Sequence, residues 1–87
     1  LYEVEITPEG LRHLDGLPGK VREAALQAIF GAIADNPYRL GKPLVGELEG
    51  LRPARRGGYR IVYEILEPEG TVLIHRIQHR SRVYRRR

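Results

Sequence analysis

The chain is predicted to form an α+β domain in the order β-α-α-β-β-β, a mainly antiparallel sheet with two helices packed on one face. Three observations lead there. Tyr2-Glu-Val-Glu-Ile6 alternates apolar and acidic residues, as a strand with one buried face does. Apolar residues then recur at three- and four-residue spacing through residue 33, the period of helices with one buried stripe. After residue 50, three extended runs are separated by Gly57-Gly58 and by Pro68-Glu69-Gly70, both turn-forming.

The first strand ends at Thr7-Pro8-Glu9, which supplies an N-cap, a proline at the first helical position and an acid in the first turn. Leu11, Leu14 and Leu17 are expected on the inner side of this short helix, which ends near Gly16. Pro18 opens a second helix to about Asp35, with Val21, Ala25, Leu26, Ile29, Phe30 and Ile33 as its buried stripe. Asn36-Pro37 stops it, and residues 36–50, rich in Gly and Pro, read as a loop. Strands are expected at about 51–56, 59–66 and 71–78. In the middle one, Tyr59, Ile61, Tyr63 and Ile65 form the core face, so Arg60 projects onto the face that the helices leave uncovered. In the last, His75 and Ile77 alternate with Arg76, which places Arg76 at the surface as well.

A chain of 87 residues makes one small domain, residues 1–87, too small to enclose a substrate cavity. Its site should be an open groove or a sheet face. Without cysteine there is no disulfide framework and no thiolate chemistry, which suits a cytoplasmic protein. No apolar run approaches the ~20 residues that span a bilayer, so no membrane association is expected. Charge is divided unequally. Residues 1–51 hold five Lys/Arg and eight Asp/Glu, whereas residues 52–87 hold ten Arg and three Glu. That asymmetry directs the C-terminal half toward an anionic partner. A metal is not expected: His75 and His79, four apart on a strand, would lie ~13 Å from each other. No cofactor motif is present.

Gly58-Tyr59-Arg60-Ile61-Val62-Tyr63-Glu64-Ile65, followed by Val72-Leu73-Ile74-His75-Arg76-Ile77 and His79-Arg80-Ser81-Arg82-Val83-Tyr84, resembles the RelE/ParE superfamily of bacterial toxins. The helix-rich first half and the segment Gly41–Leu44 fit as well, so the resemblance covers essentially the whole chain. It implies a RelE-like fold and the toxin of a type II toxin–antitoxin pair, in hetero-oligomeric complex with a cognate RelB-like antitoxin. RelE-type members enter the ribosomal A site and cleave mRNA there without a metal. The 2′-OH attacks the adjacent phosphorus, leaving a 2′,3′-cyclic phosphate and a 5′-OH. ParE-type members share the fold and poison DNA gyrase. His79-Arg80 together with Tyr84 favours the RelE side, since a gyrase poison needs no proton-transfer set. A non-catalytic ParE-like gyrase inhibitor is the alternative, and a degenerate toxin that binds only its antitoxin is a third.

The cleavage needs a base, positive charge for the phosphorane and a proton for the leaving oxygen. By the resemblance, Arg60 matches the sheet arginine and Arg80 the arginine of the C-terminal motif, both suited to hold the scissile phosphate. Tyr84 matches the C-terminal tyrosine, as base or as stacking platform. His79 is on chemical grounds a better proton donor than a guanidinium. Arg52, Arg55, Arg56, Arg76 and Arg82 are candidate RNA contacts; some relatives carry lysines on the first hairpin strand instead. Glu47 and Glu49 are weaker acid candidates. The plainer readings are a solvated hairpin whose arginines block edge pairing, a Tyr84 that packs the tail, and an Arg85–Arg87 end that only steers RNA.

Overall fold

The structure, a computed structural model, describes residues 1–40, 42–44 and 49–79. Strand β1 (Glu3–Ile6) leads into helix α1 (Pro8–Asp15) and helix α2 (Gly19–Ala28). A π-helical turn, Ile29–Ile33, continues α2, and strands β2 (Leu51–Arg56), β3 (Tyr59–Leu66) and β4 (Thr71–His79) complete the sheet. The sheet order is β1-β4-β3-β2, with β1 parallel to β4 and the other pairs antiparallel. This is the α+β arrangement expected from the sequence.

Helix and sheet meet in a core of Leu14, Ala25, Ile29, Ile33, Ile61, Tyr63, Val72, Ile74 and Ile77. The α1 start forms as its residues dictate: the Thr7 hydroxyl accepts from the Gly10 amide at 3.0 Å. Gly10 is buried there, and a Cβ on it would lie 2.9 Å from Ile6 Cγ2 and 3.0 Å from the Ile74 carbonyl oxygen. Only glycine lets α1 approach β4 this closely.

Two helical positions differ from the expectation. Leu11 is half exposed, because Gly10 and Leu14, one turn apart, define the inward side of α1. Phe30 is 58% exposed rather than part of the buried stripe. The π-helical turn widens the helix at this point, so Ile29 and Ile33 both stay inward while Phe30 is carried outward.

β4 also departs from simple alternation. Val62 pairs with Arg76 but Tyr63 pairs with Ile74, so His75 is an extra residue in a β-bulge. Ile74 and Ile77, three apart, therefore both face the core, and His75 does not share their side as alternation predicts. Its ring reaches Glu64 at 2.9 Å, on the face away from the helices, where Arg76 also lies opposite Val62.

The bulge is held from the α1 side. β1 pairs only with residues 71–74 of β4, and beyond that point α1 supplies the partners. The Thr7 amide donates to the Ile74 carbonyl at 3.0 Å and its hydroxyl to the His75 carbonyl at 2.9 Å. The Ile77 amide donates to His13 Nδ1 at 3.0 Å, so a neutral His13 carries its proton on Nε2, which faces Glu9.

Two contacts fasten the segment after the π turn. The buried Tyr63 hydroxyl lies 2.7 Å from the Pro37 carbonyl and 2.9 Å from that of Leu40. Replacing Tyr63 with Phe leaves those carbonyls without this donor, a cost of about 1–2 kcal/mol. Thermal unfolding should register it as a Tm lower by about 4–8 °C per kcal/mol. At the surface, Glu67 Oε2 accepts from the Tyr2 hydroxyl at 2.6 Å and from the Tyr38 hydroxyl at 2.9 Å. These bonds hold the Glu67 carboxyl below its ordinary value of 4.5 and, with some burial and the carboxylate charge, push the Tyr2 phenol up to about 12. Both linkages have a defined sign. The Glu67 contribution to stability is present above pH 4.5 and lost as pH falls through the lowered value. That of Tyr2 is complete below pH 10 and lost as pH rises toward 12. Tm measured against pH should show the advantage of wild type over Glu67→Gln shrinking on the acid side.

Candidate functional site

The face of the sheet away from the helices carries Arg55 and Arg60 of the hairpin and Arg76 of β4. Alternation along β3 places Arg60, Val62 and Glu64 on this face. Arg60 pairs with Gln78 across the β3–β4 ladder and with Arg55 across the β2–β3 ladder. Its Nε donates to Gln78 Oε1 at 2.7 Å. That bond fixes the plane of the guanidinium, whose fork geometry is of the kind that suits an anion.

Arg76 is the diagonal neighbour of Arg60, at the roughly 7–8 Å separation of such positions. Its Nε is buried and has no hydrogen-bond partner among the described residues. Between these arginines lies Val62, only 2% exposed, flanked in the ladders by Pro53 and Arg76. Arg55, Arg60 and Arg76 thus form a cationic triangle on three neighbouring strands. The nearby acid, Glu64, is engaged by His75 at 2.9 Å, both side chains being about a third exposed.

The remaining candidates lie elsewhere. Arg56 and His79 belong to the helix side of the hairpin, where with Lys20, Val21, Ala24 and Tyr59 they line an open groove of about 400 Å³. Burial pushes the Tyr59 phenol up, and the Arg56 guanidinium opposes it. Arg52 stands over the Tyr38 ring, 5.2 Å from its centroid, and Tyr38 meets Tyr2 edge-on at 6.4 Å. It belongs with the tyrosine–glutamate clasp, toward the other end of β2 from Arg56. Arg80, Arg82, Tyr84 and Glu47 lie outside the described residues. Glu49 is exposed in the turn before β2.

Sequence reasoning missed Gln78 and the His75–Glu64 pair. Gln78 follows Arg76 by two, so strand alternation alone could have set both beside Arg60. The pair depends on the bulge, whose one trace in the sequence is the three-residue spacing of Ile74 and Ile77. Among the described residues no group of three His, Cys, Asp or Glu is placed to hold a metal. Nor is any helix among them long and apolar enough to cross a membrane.

Comparison with known proteins assigns the fold and the class. The family described as the ParE toxin of the type II toxin–antitoxin system parDE matches residues 4–84. The chain is 48% identical over 84 residues to Toxin RelE of Mycobacterium tuberculosis, covering 97% of this chain and 87% of that one. It is 42% identical over 85 residues to Toxin RelG of the same organism, covering 98% of each. Among solved structures, a chain of the toxin–antitoxin complex RelBE2 from M. tuberculosis superposes with a TM-score of 0.87 at 42% identity, over 91% of this chain and 98% of that chain. The isolated Escherichia coli RelE toxin, at 22% identity, shares the fold with a TM-score of 0.77, over 97% of this chain and 92% of that chain. The protein belongs to the RelE/ParE superfamily and is a toxin of the type II toxin–antitoxin class.

Proposed function

We propose that this toxin is a ribosome-dependent mRNA endoribonuclease that cleaves in the A site without a metal. The observation that carries the reading is Arg60, oriented by Gln78, with Arg55 and Arg76 beside it on the face away from the helices. Preorganised guanidiniums suit a phosphorane, whose charge develops only as the 2′-OH attacks. The 48% identity to a protein named Toxin RelE supports the same choice.

In this scheme Arg60 and Arg80 hold the scissile phosphate, and Arg55 and Arg76 bind the flanking backbone. Tyr84 takes the proton of the 2′-OH or stacks on a base. His79 lies on the helix side of the hairpin, across the sheet from Arg60, so in this scheme the leaving 5′-oxygen takes its proton from solvent. The products are a 2′,3′-cyclic phosphate and a 5′-OH. The site of action is the translating ribosome in the cytoplasm. Neutralisation falls to a cognate RelB-like antitoxin, as the complexes of related toxins suggest. An acidic segment of such a partner would cover the arginine face.

One observation favours a second reading: the matching family carries the ParE name, which fits a non-catalytic gyrase inhibitor. Purified protein added to ribosomes translating a defined mRNA separates the two. Cut ends should map within the A-site codon. Arg60→Ala should lower the cleavage rate by about 10²–10³, the loss typical of a transition-state charge donor. Gln78→Leu should lower it by about tenfold, since the guanidinium remains but loses its orientation. An intact message beside folded protein would favour the gyrase reading.

A further inference from the structure

The groove on the helix side of the hairpin has no role in this scheme, yet it gathers cations beside an apolar wall. Lys20 from α2, Arg56 from β2 and His79 from β4 converge on it from three separate elements, and among the described residues no acidic one lines it. Tyr59, partly buried against the core, forms part of the lining, with Val21 and Ala24 as an apolar wall. Its volume, about 400 Å³, falls in the range of small-molecule pockets. Pro18 gives α2 no side-chain cap and the first turn holds no acid, so the positive end of the helix adds to the field.

We propose that this groove binds a nucleotide adjoining the cleaved one, with its phosphate between Lys20 and Arg56 and its base against Tyr59 and the apolar wall. The inference rests on the RNA-cleavage reading and extends it to the other side of the hairpin. Gly57 and Gly58 make the rim between the groove and the Arg55–Arg60 face, and neither carries a side chain that would block a strand crossing there. An acidic peptide would use the cations but has no need of an aromatic ring beside an apolar wall. Stacking of a base on tyrosine does need them, and it tolerates any sequence.

The test uses the intact protein and a 2′-O-methyl tetraribonucleotide, which lacks the attacking hydroxyl and is not cleaved. Amide correlation spectra are recorded during titration, with an oligoglutamate peptide as the second probe. The oligonucleotide should shift the amides of Lys20, Val21, Gly57 and Gly58. Lys20→Ala with Arg56→Ala should weaken binding by about tenfold. The slope of log affinity against log salt should then become shallower by about 0.7, the value for one phosphate no longer neutralised on a single strand. Arg56→Lys should keep most of the affinity, and unchanged core resonances report that each variant is folded. Shifts confined to Arg60 and Gln78 would overturn the groove while leaving the cleavage reading intact. Groove shifts with oligoglutamate but not with the oligonucleotide would overturn it in favour of a protein partner. The absence of any shift would overturn it too, with cleavage still decided on ribosomes.

Discussion

β4 is nine residues long, but β1 pairs with only its first four, and the rest of that side must find hydrogen bonds elsewhere. Buried backbone groups left unpaired are costly, so this mismatch constrains everything around it. α1 resolves it. The Thr7 amide and hydroxyl take the Ile74 and His75 carbonyls, and His13 receives the Ile77 amide. The close approach this requires explains why position 10 is glycine. One short helix thus serves as cover for the core and as the missing stretch of a neighbouring strand.

The same junction shapes the cationic face. With His75 inserted as an extra residue, the register of β4 resets, so that Arg76 and Gln78 stand opposite Val62 and Arg60 while Ile74 and Ile77 stay in the core. Without the bulge, a strand holding both isoleucines inward could not present Arg76 and Gln78 together on the far side. Gln78 then orients Arg60, and His75 occupies Glu64, so the acid nearest the arginines is already engaged. Placing three arginines on adjacent strands is unfavourable for the isolated domain. A bound anion would offset that repulsion.

Much of this was legible in the sequence, for identifiable reasons. Thr7-Pro8-Glu9, the Gly57-Gly58 turn and the alternation of β3 are local signals, and each produced the expected element. Arg60 reads onto the face away from the helices because β3 alternates without interruption. Phe30 was misplaced because a π turn has no periodicity signature distinct from an α-helix. His75 was misplaced because strand alternation assumes a continuous ladder, and the bulge depends on side chains some sixty residues earlier in the chain. Lys20 gave no signal, since its place in a groove follows from the packing of α2 against a hairpin tip distant in sequence. The tail residues Arg80, Arg82 and Tyr84 carry the family motif but lie outside the described residues, so their part in the site rests on the resemblance.

The most direct test of this account is amide hydrogen exchange at Ile77 in wild type and in His13→Ala. If α1 completes the pairing of β4, the Ile77 amide is protected in wild type. Its exchange should then rise about tenfold or more in the variant, while amides in the β3–β4 ladder keep their protection. Equal protection of Ile77 in both proteins would contradict the account, because the bulge and the face built on it would then be held by something other than α1.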